Sequence, residues 1–121
     1  MRTLPDKISP LVLASGTVMV DEAGFITDPE AWTTEFAEFI AANENIELTP
    51  LHWDILDFMR KSYAAHGVAV DVRHVLKVLQ DQRDLDKHDA KMLLFELFPY
   101  GYVKQAVKMA GMKQPRAWST G

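Results

Sequence analysis

No cysteine occurs among the 121 residues. That absence excludes a disulfide framework, a thiolate metal site and any step that needs a thiol nucleophile. No apolar run comes near the roughly 18–20 residues that a membrane helix needs. Met1-Arg2-Thr3-Leu4-Pro5-Asp6-Lys7 lacks the continuous apolar core of a secretory signal, and Leu11-Val12-Leu13-Ala14 is too short for one. The expectation is a cytoplasmic protein with no membrane partner. The six glycines are scattered, so no phosphate-cradling loop forms, and no serine sits in a nucleophile elbow.

Acid is missing from one end of the chain. Up to Leu97 there are 9 Lys/Arg against 17 Asp/Glu; from Phe98 onward there are Lys104, Lys108, Lys113 and Arg116 and no carboxylate. An acidic body with a basic end points to an acidic protein surface or a nucleic acid as partner. The remaining composition, 48% hydrophobic and 25% charged, is that of one globular domain.

Helical patterning dominates what is present. Asp28-Pro29 reads as a cap followed by a favoured first residue, and Trp32, Phe36, Phe39 and Ile40 then recur at helical spacing to about Ala42, where Asn43-Glu44-Asn45 closes the run. Thr49-Pro50 opens a second helix with Trp53, Ile55, Leu56, Phe58, Met59 or Arg60, and Tyr63 on a broad face, stopped by Gly67. A third runs from the cap Asp71 to Gln80 with Val72, Val75, Leu76 and Leu79 inward. A charged connector, Asp81 to Asp86, leads to a fourth from about Lys87 to Phe98, with Met92, Leu93, Phe95, Leu97 and Phe98 supplying apolar area. Pro99-Tyr100-Gly101 breaks it, and a short fifth helix, Tyr102 to Ala110, buries Val103, Ala106, Val107 and Met109. Ahead of these, Thr17–Val20 and Phe25–Thr27 flank a polar turn and read as a small hairpin. Residues 1–15 form an extension, or a strand added to that hairpin. The fold class expected is mainly α (α+β): an orthogonal bundle of about five helices over residues 16–111, with a small N-terminal β-hairpin and a flexible C-terminal arm, 112–121.

Three stretches carry a family resemblance. Leu48-Thr49-Pro50-Leu51-His52-Trp53 matches a Leu-Thr-x-x-His-Trp pattern, and Asp21 to Phe25 matches an Asp-x-x-Gly-Phe turn. Leu97-Phe98-Pro99-Tyr100-Gly101, running through Val103-Lys104-Gln105-Ala106 to Ala110-Gly111, completes the signature. Together they resemble the DsrC/TusE family of sulfur-relay proteins over about residues 16–118. The resemblance implies a last helix ending in Ala-Gly, then an arm that enters a partner's active-site channel and presents a persulfide-bearing cysteine near its end. Here that position falls on Trp118, and the second cysteine of the redox-active members falls on Val107. The chain also departs at Gly101-Tyr102, where the family commonly has Gly-Pro. It departs again at Val70-Asp71-Val72-Arg73, where the family has a proline ahead of the arginine.

Without a thiol the relay step does not carry over, and no catalytic residue, enzyme activity, metal or cofactor is expected. The four histidines His52, His66, His74 and His88 include no i, i+4 metal pair. The acidic run Asp81-Asp84-Asp86-Asp89 lacks the glycine and closing glutamate of a calcium loop. What remains is binding. Trp118 near the chain end is a candidate anchor for a partner's pocket, with Lys104, Lys108, Lys113, Pro115 and Arg116 beside it. The expected role is a non-catalytic regulator or adaptor that docks a sulfur-relay or sulfite-reductase-like protein complex. Two rivals stand beside it. One is a DNA-binding regulator reading through Arg73, His74 and Lys77 on the second element of a helix-turn-helix-like pair. The other is a structural subunit of a relay for tRNA 2-thiolation or dissimilatory sulfur oxidation.

Overall fold

Local capping chemistry sets most of the helix boundaries in the computed structural model, which describes residues 8–113. Helix α1 is Thr34–Asn43, α2 Pro50–His66, α3 Val72–Arg83 and α4 Lys87–Leu97. Thr49 accepts from the His52 N–H, Asp71 from Arg73 and Asp86 from Asp89, so each of these helices starts on a side chain that satisfies an orphan donor. Asn45 and Asp84, with φ of 59° and 54°, end α1 and α3 in the left-handed region that short polar side chains tolerate. Asp84 and Asp86 of the acidic connector are thereby used as helix ends.

The first helix begins later than its sequence pattern suggests. Asp28 does cap, accepting from Glu30, but it caps a single 3-10 turn, Pro29–Ala31. Trp32 is extended (φ −64°, ψ 142°), and α1 restarts after Thr33. α3 runs three residues past Gln80 to Arg83. The fifth helix is wound as a π-helix over Tyr102–Val107, with an α turn at Lys108 and Met109.

The hairpin pairs β1, Ser9–Leu13, with β2, Gly16–Val20, antiparallel, with Leu11 opposite Val18. The strand added from residues 1–15 is thus the main partner, and the expected second strand contributes one bridge, Val20 to Ile26. Pro10 interrupts the pattern of β1, which explains its weak signal. Glu35 fastens the hairpin tip to α1: its carboxylate accepts from the Ser15 N–H at 2.9 Å and the Ala14 N–H at 2.7 Å.

One core joins all the helices: Phe36 and Ile40 of α1, Ile55, Leu56 and Met59 of α2, Val75 and Leu79 of α3, and Leu94 and Phe98 at the end of α4. Phe39, Met92 and Phe95 do not join it. They stand at 36%, 54% and 61% exposure, because two residues of shift on a helix move a side chain off the buried stripe. Tyr102 reaches across to donate its hydroxyl to the Val70 carbonyl at 2.6 Å. Burial pushes its phenol pKa up, so it stays a donor.

Candidate functional site

The C-terminal segment ends in a fully assigned cap. Gly111 (φ +77°) is the left-handed residue, the Gly111 N–H donates to the Lys108 carbonyl and the Met112 N–H to the Val107 carbonyl. This is the paired 6→1 and 5→2 pattern of a Schellman end, and Met112 and Val107 are both buried beneath it. Two carbonyls beyond those, Met109 and Ala110, still need donors. Trp32 Nε1–H supplies the first at 2.7 Å and Arg60 Nη1–H the second at 2.8 Å. Arg60 Nη2 also donates to the Pro29 carbonyl at 2.9 Å, and its guanidinium lies 4.3 Å from the Trp32 ring centroid. A cation at a helix C-terminus and over an indole face is favourable on both counts. Burial lowers the Arg60 pKa, and Tyr63 opposes that shift.

Gly111 sits against this pair. A Cβ there would come 2.6 Å from Trp32 Cγ and 2.8 Å from Arg60 Nη1, so only glycine fits. Gln105, fully buried one turn earlier, is held at both ends: its Oε1 accepts from the Tyr100 N–H and its Nε2 donates to Glu44. Lys104 and Lys113 are exposed. Lys108 is half-buried with Nζ 5.4 Å from the Phe25 ring. Val107 is fully buried core. Pro115, Arg116 and Trp118 lie outside the described residues.

His52 stands at the opposite end of α2. Its Nδ1 accepts from the Thr49 N–H at 3.0 Å and its Nε2 meets the Leu97 carbonyl at 2.9 Å. A backbone N–H can only donate and a carbonyl can only accept, so the ring is neutral with its proton on Nε2. Burial lowers its pKa, partly opposed by the Leu97 bond, and Phe98 packs edge-on at 5.2 Å. Its work is to tie the start of α2 to the end of α4.

The two cationic groups proposed for reading DNA are already engaged. Arg73 Nε lies 3.0 Å from Asp71 and Lys77 Nζ 3.8 Å from Asp81, each partner being an acid at the same helix's ends. The hydrogen bonds from Arg73 hold the Asp71 pKa below its ordinary value. His74 is exposed on the same helix. A face whose cations are each matched by a carboxylate carries little net field toward phosphates.

A family model described as DsrC like protein matches residues 13–117. The chain belongs to this DsrC-like family. Sulfurtransferase TusE of Salmonella typhimurium is 31% identical over 105 residues, 87% of this chain and 95% of its own length. The Sulfurtransferase TusE homolog of Haemophilus influenzae is 34% identical over 98 residues, 81% of this chain and 89% of the relative. Among solved structures, the oxidized gamma-subunit of the dissimilatory sulfite reductase (DsrC) from Archaeoglobus fulgidus superposes with a TM-score of 0.79. It is 31% identical and covers 91% of this chain and 99% of its own. The mainly helical fold with its small hairpin is therefore the DsrC-like fold, here without a cysteine.

Sequence reasoning found the basic end but missed the residues that hold its root. Arg60 directly follows Met59, and the helical spacing left open which of the two faces inward. A charged residue at a position compatible with the apolar face was the available signal.

Proposed function

We propose that this DsrC-like protein is a non-catalytic adaptor or regulator in sulfur metabolism. It docks a sulfur-relay or sulfite-reductase-like protein through residues 113–121, without carrying a persulfide. The observation that carries the reading is a whole relay scaffold, capped and cross-linked at the root of its last segment, in a chain with no sulfur nucleophile. A persulfide needs a thiolate, and the methionine thioethers cannot supply one. The docking surface comprises Lys104, Lys108 and Lys113 with Pro115, Arg116 and Trp118. The lysines meet no carboxylate among the described residues, which favours a partner with an acidic rim. The Archaeoglobus relative is the gamma-subunit of a dissimilatory sulfite reductase, which supports a multi-subunit redox enzyme as the class of partner.

Co-purification from native lysate tests this, using the full chain, a chain ending at Met112, and Trp118→Ala. A relay or sulfite-reductase-like protein retained by the full chain alone is the expected result. The same partner recovered by all three would place binding on the helical body and end the docking reading.

A further inference from the structure

Trp32 and Arg60 lie 77 and 50 residues before the carbonyls they hold, on two different elements, and they brace each other. We propose that they are positioning residues: together they fix the point and heading at which residues 113–121 leave the domain. The consequence for docking rests on the reading above; the geometry does not.

Three observations carry the proposal. First, a Schellman end needs no outside donor for its own two bonds, and surface helices normally leave their next carbonyls to water. Here two successive carbonyls are each taken by a side chain from elsewhere, which sets two successive peptide planes. Gly111 then turns the chain at a φ that Trp32 and Arg60 enclose too closely for a side chain. Met112 is buried, and Lys113 is the first residue facing solvent.

Second, Arg60 has no carboxylate partner among the described residues. A half-buried guanidinium that meets two backbone carbonyls and an indole face in place of a carboxylate recovers only part of the solvation that burial costs. It does fix geometry, because its planar fork presents two donors in one rigid plane to Ala110 and Pro29.

Third, the chain accepts local defects to place Trp32. The helical pattern that starts at Pro29 is broken at Trp32 and restarts after Thr33, whose buried hydroxyl has no partner among the described residues. Departures from local preference of this kind concentrate where geometry is being held for another purpose.

Distance measurement between paired spin labels tests the proposal directly. Gln82→Cys and Lys113→Cys supply the labelling sites, both at exposed positions, and no native thiol competes. Asp54→Cys with Gln82→Cys is the control pair within the body. In the otherwise unchanged chain the Lys113 pair is expected to give one narrow distribution. Trp32→Phe, which keeps a ring but loses the donor, and Arg60→Leu should each widen it roughly twofold or displace its centre, leaving the control pair unchanged. An unchanged Lys113 distribution in both variants overturns the proposal. So does equal broadening of both pairs, which would mean general loosening. No partner is needed, so this measurement can fail while docking stands. Loss of the truncation effect would remove docking and leave the positioning intact.

Discussion

The imidazole of His52 donates from Nε2 to the carbonyl of Leu97, 45 residues away, at 2.9 Å. Burial lowers the pKa of this ring. In the unfolded chain it titrates near its ordinary value of about 6.5, so below that pH the unfolded state binds a proton that the folded state refuses. The contribution is therefore whole above about pH 6.5 and declines as pH falls toward the lower folded value. Urea midpoints are expected to be lower at acid pH than at neutral pH. His52→Gln keeps a donor and loses the titration. It should flatten that dependence and cost about 1–2 kcal/mol at neutral pH.

The hairpin has its own acid dependence. Glu35 is partly exposed, and the hydrogen bonds from Ser15 and Ala14 hold its pKa below the usual carboxylate value. A depressed carboxyl keeps its contact above the unfolded pKa and loses it as pH falls through the folded one. The amide resonances of Ala14 and Ser15 should therefore shift together at a pH below about 4.3. Glu35→Gln should abolish that titration, with the shifts of the α2 amides unaffected.

Two phenylalanines three residues apart should behave oppositely. Phe98 is 1% exposed and Phe95 61% exposed. Phe98→Ala is expected to cost about 3–5 kcal/mol in chemical denaturation, as deletion of a buried aromatic does. Phe95→Ser should stay within about 0.5 kcal/mol. Equal effects would contradict the placement of these two side chains.

The same pair shows where the sequence stopped being readable. Thr49, Gly67, Asp71 and the Ala110-Gly111 ending were legible because a cap is chosen by neighbours a few residues away. The elements and the family followed from such local signals. Which apolar residue of a run faces inward was not legible at Phe39, Met92 and Phe95, since helical spacing leaves two adjacent stripes open and the neighbouring helix decides. Trp32 could not be read at all from its own surroundings. Its helical spacing was sound, and a hydrogen bond to Met109 overrides it. The hairpin partner was obscured by Pro10.

Gly67 and Gly111 share a φ of +77°, which makes them a matched comparison. A Cβ at Gly67 would have nothing within 4 Å, whereas one at Gly111 overlaps Trp32. Gly67→Ala should therefore lose only the left-handed backbone cost, about 1 kcal/mol. Gly111→Ala should lose more, and should speed hydrogen exchange at Met112 without doing so at Val68.

If residues 113–121 dock an acidic rim, the measured affinity of an identified partner should fall as salt rises. Lys113→Ala with Arg116→Ala should flatten that salt dependence. Trp118→Ala should lower the affinity at all salt concentrations by about 2 kcal/mol, the scale of a buried aromatic anchor. Isothermal titration across a salt series separates the two effects.

The bonds to Met109 and Ala110 also bear on modularity. A tail exchanged between two DsrC-like proteins would arrive with its own chemistry but take its aim from the recipient's residues at positions 32 and 60. Chimeras cut near Gly101 therefore test a composite, and a clean transplant has to move the turn at 29–32 and the matching arginine with it.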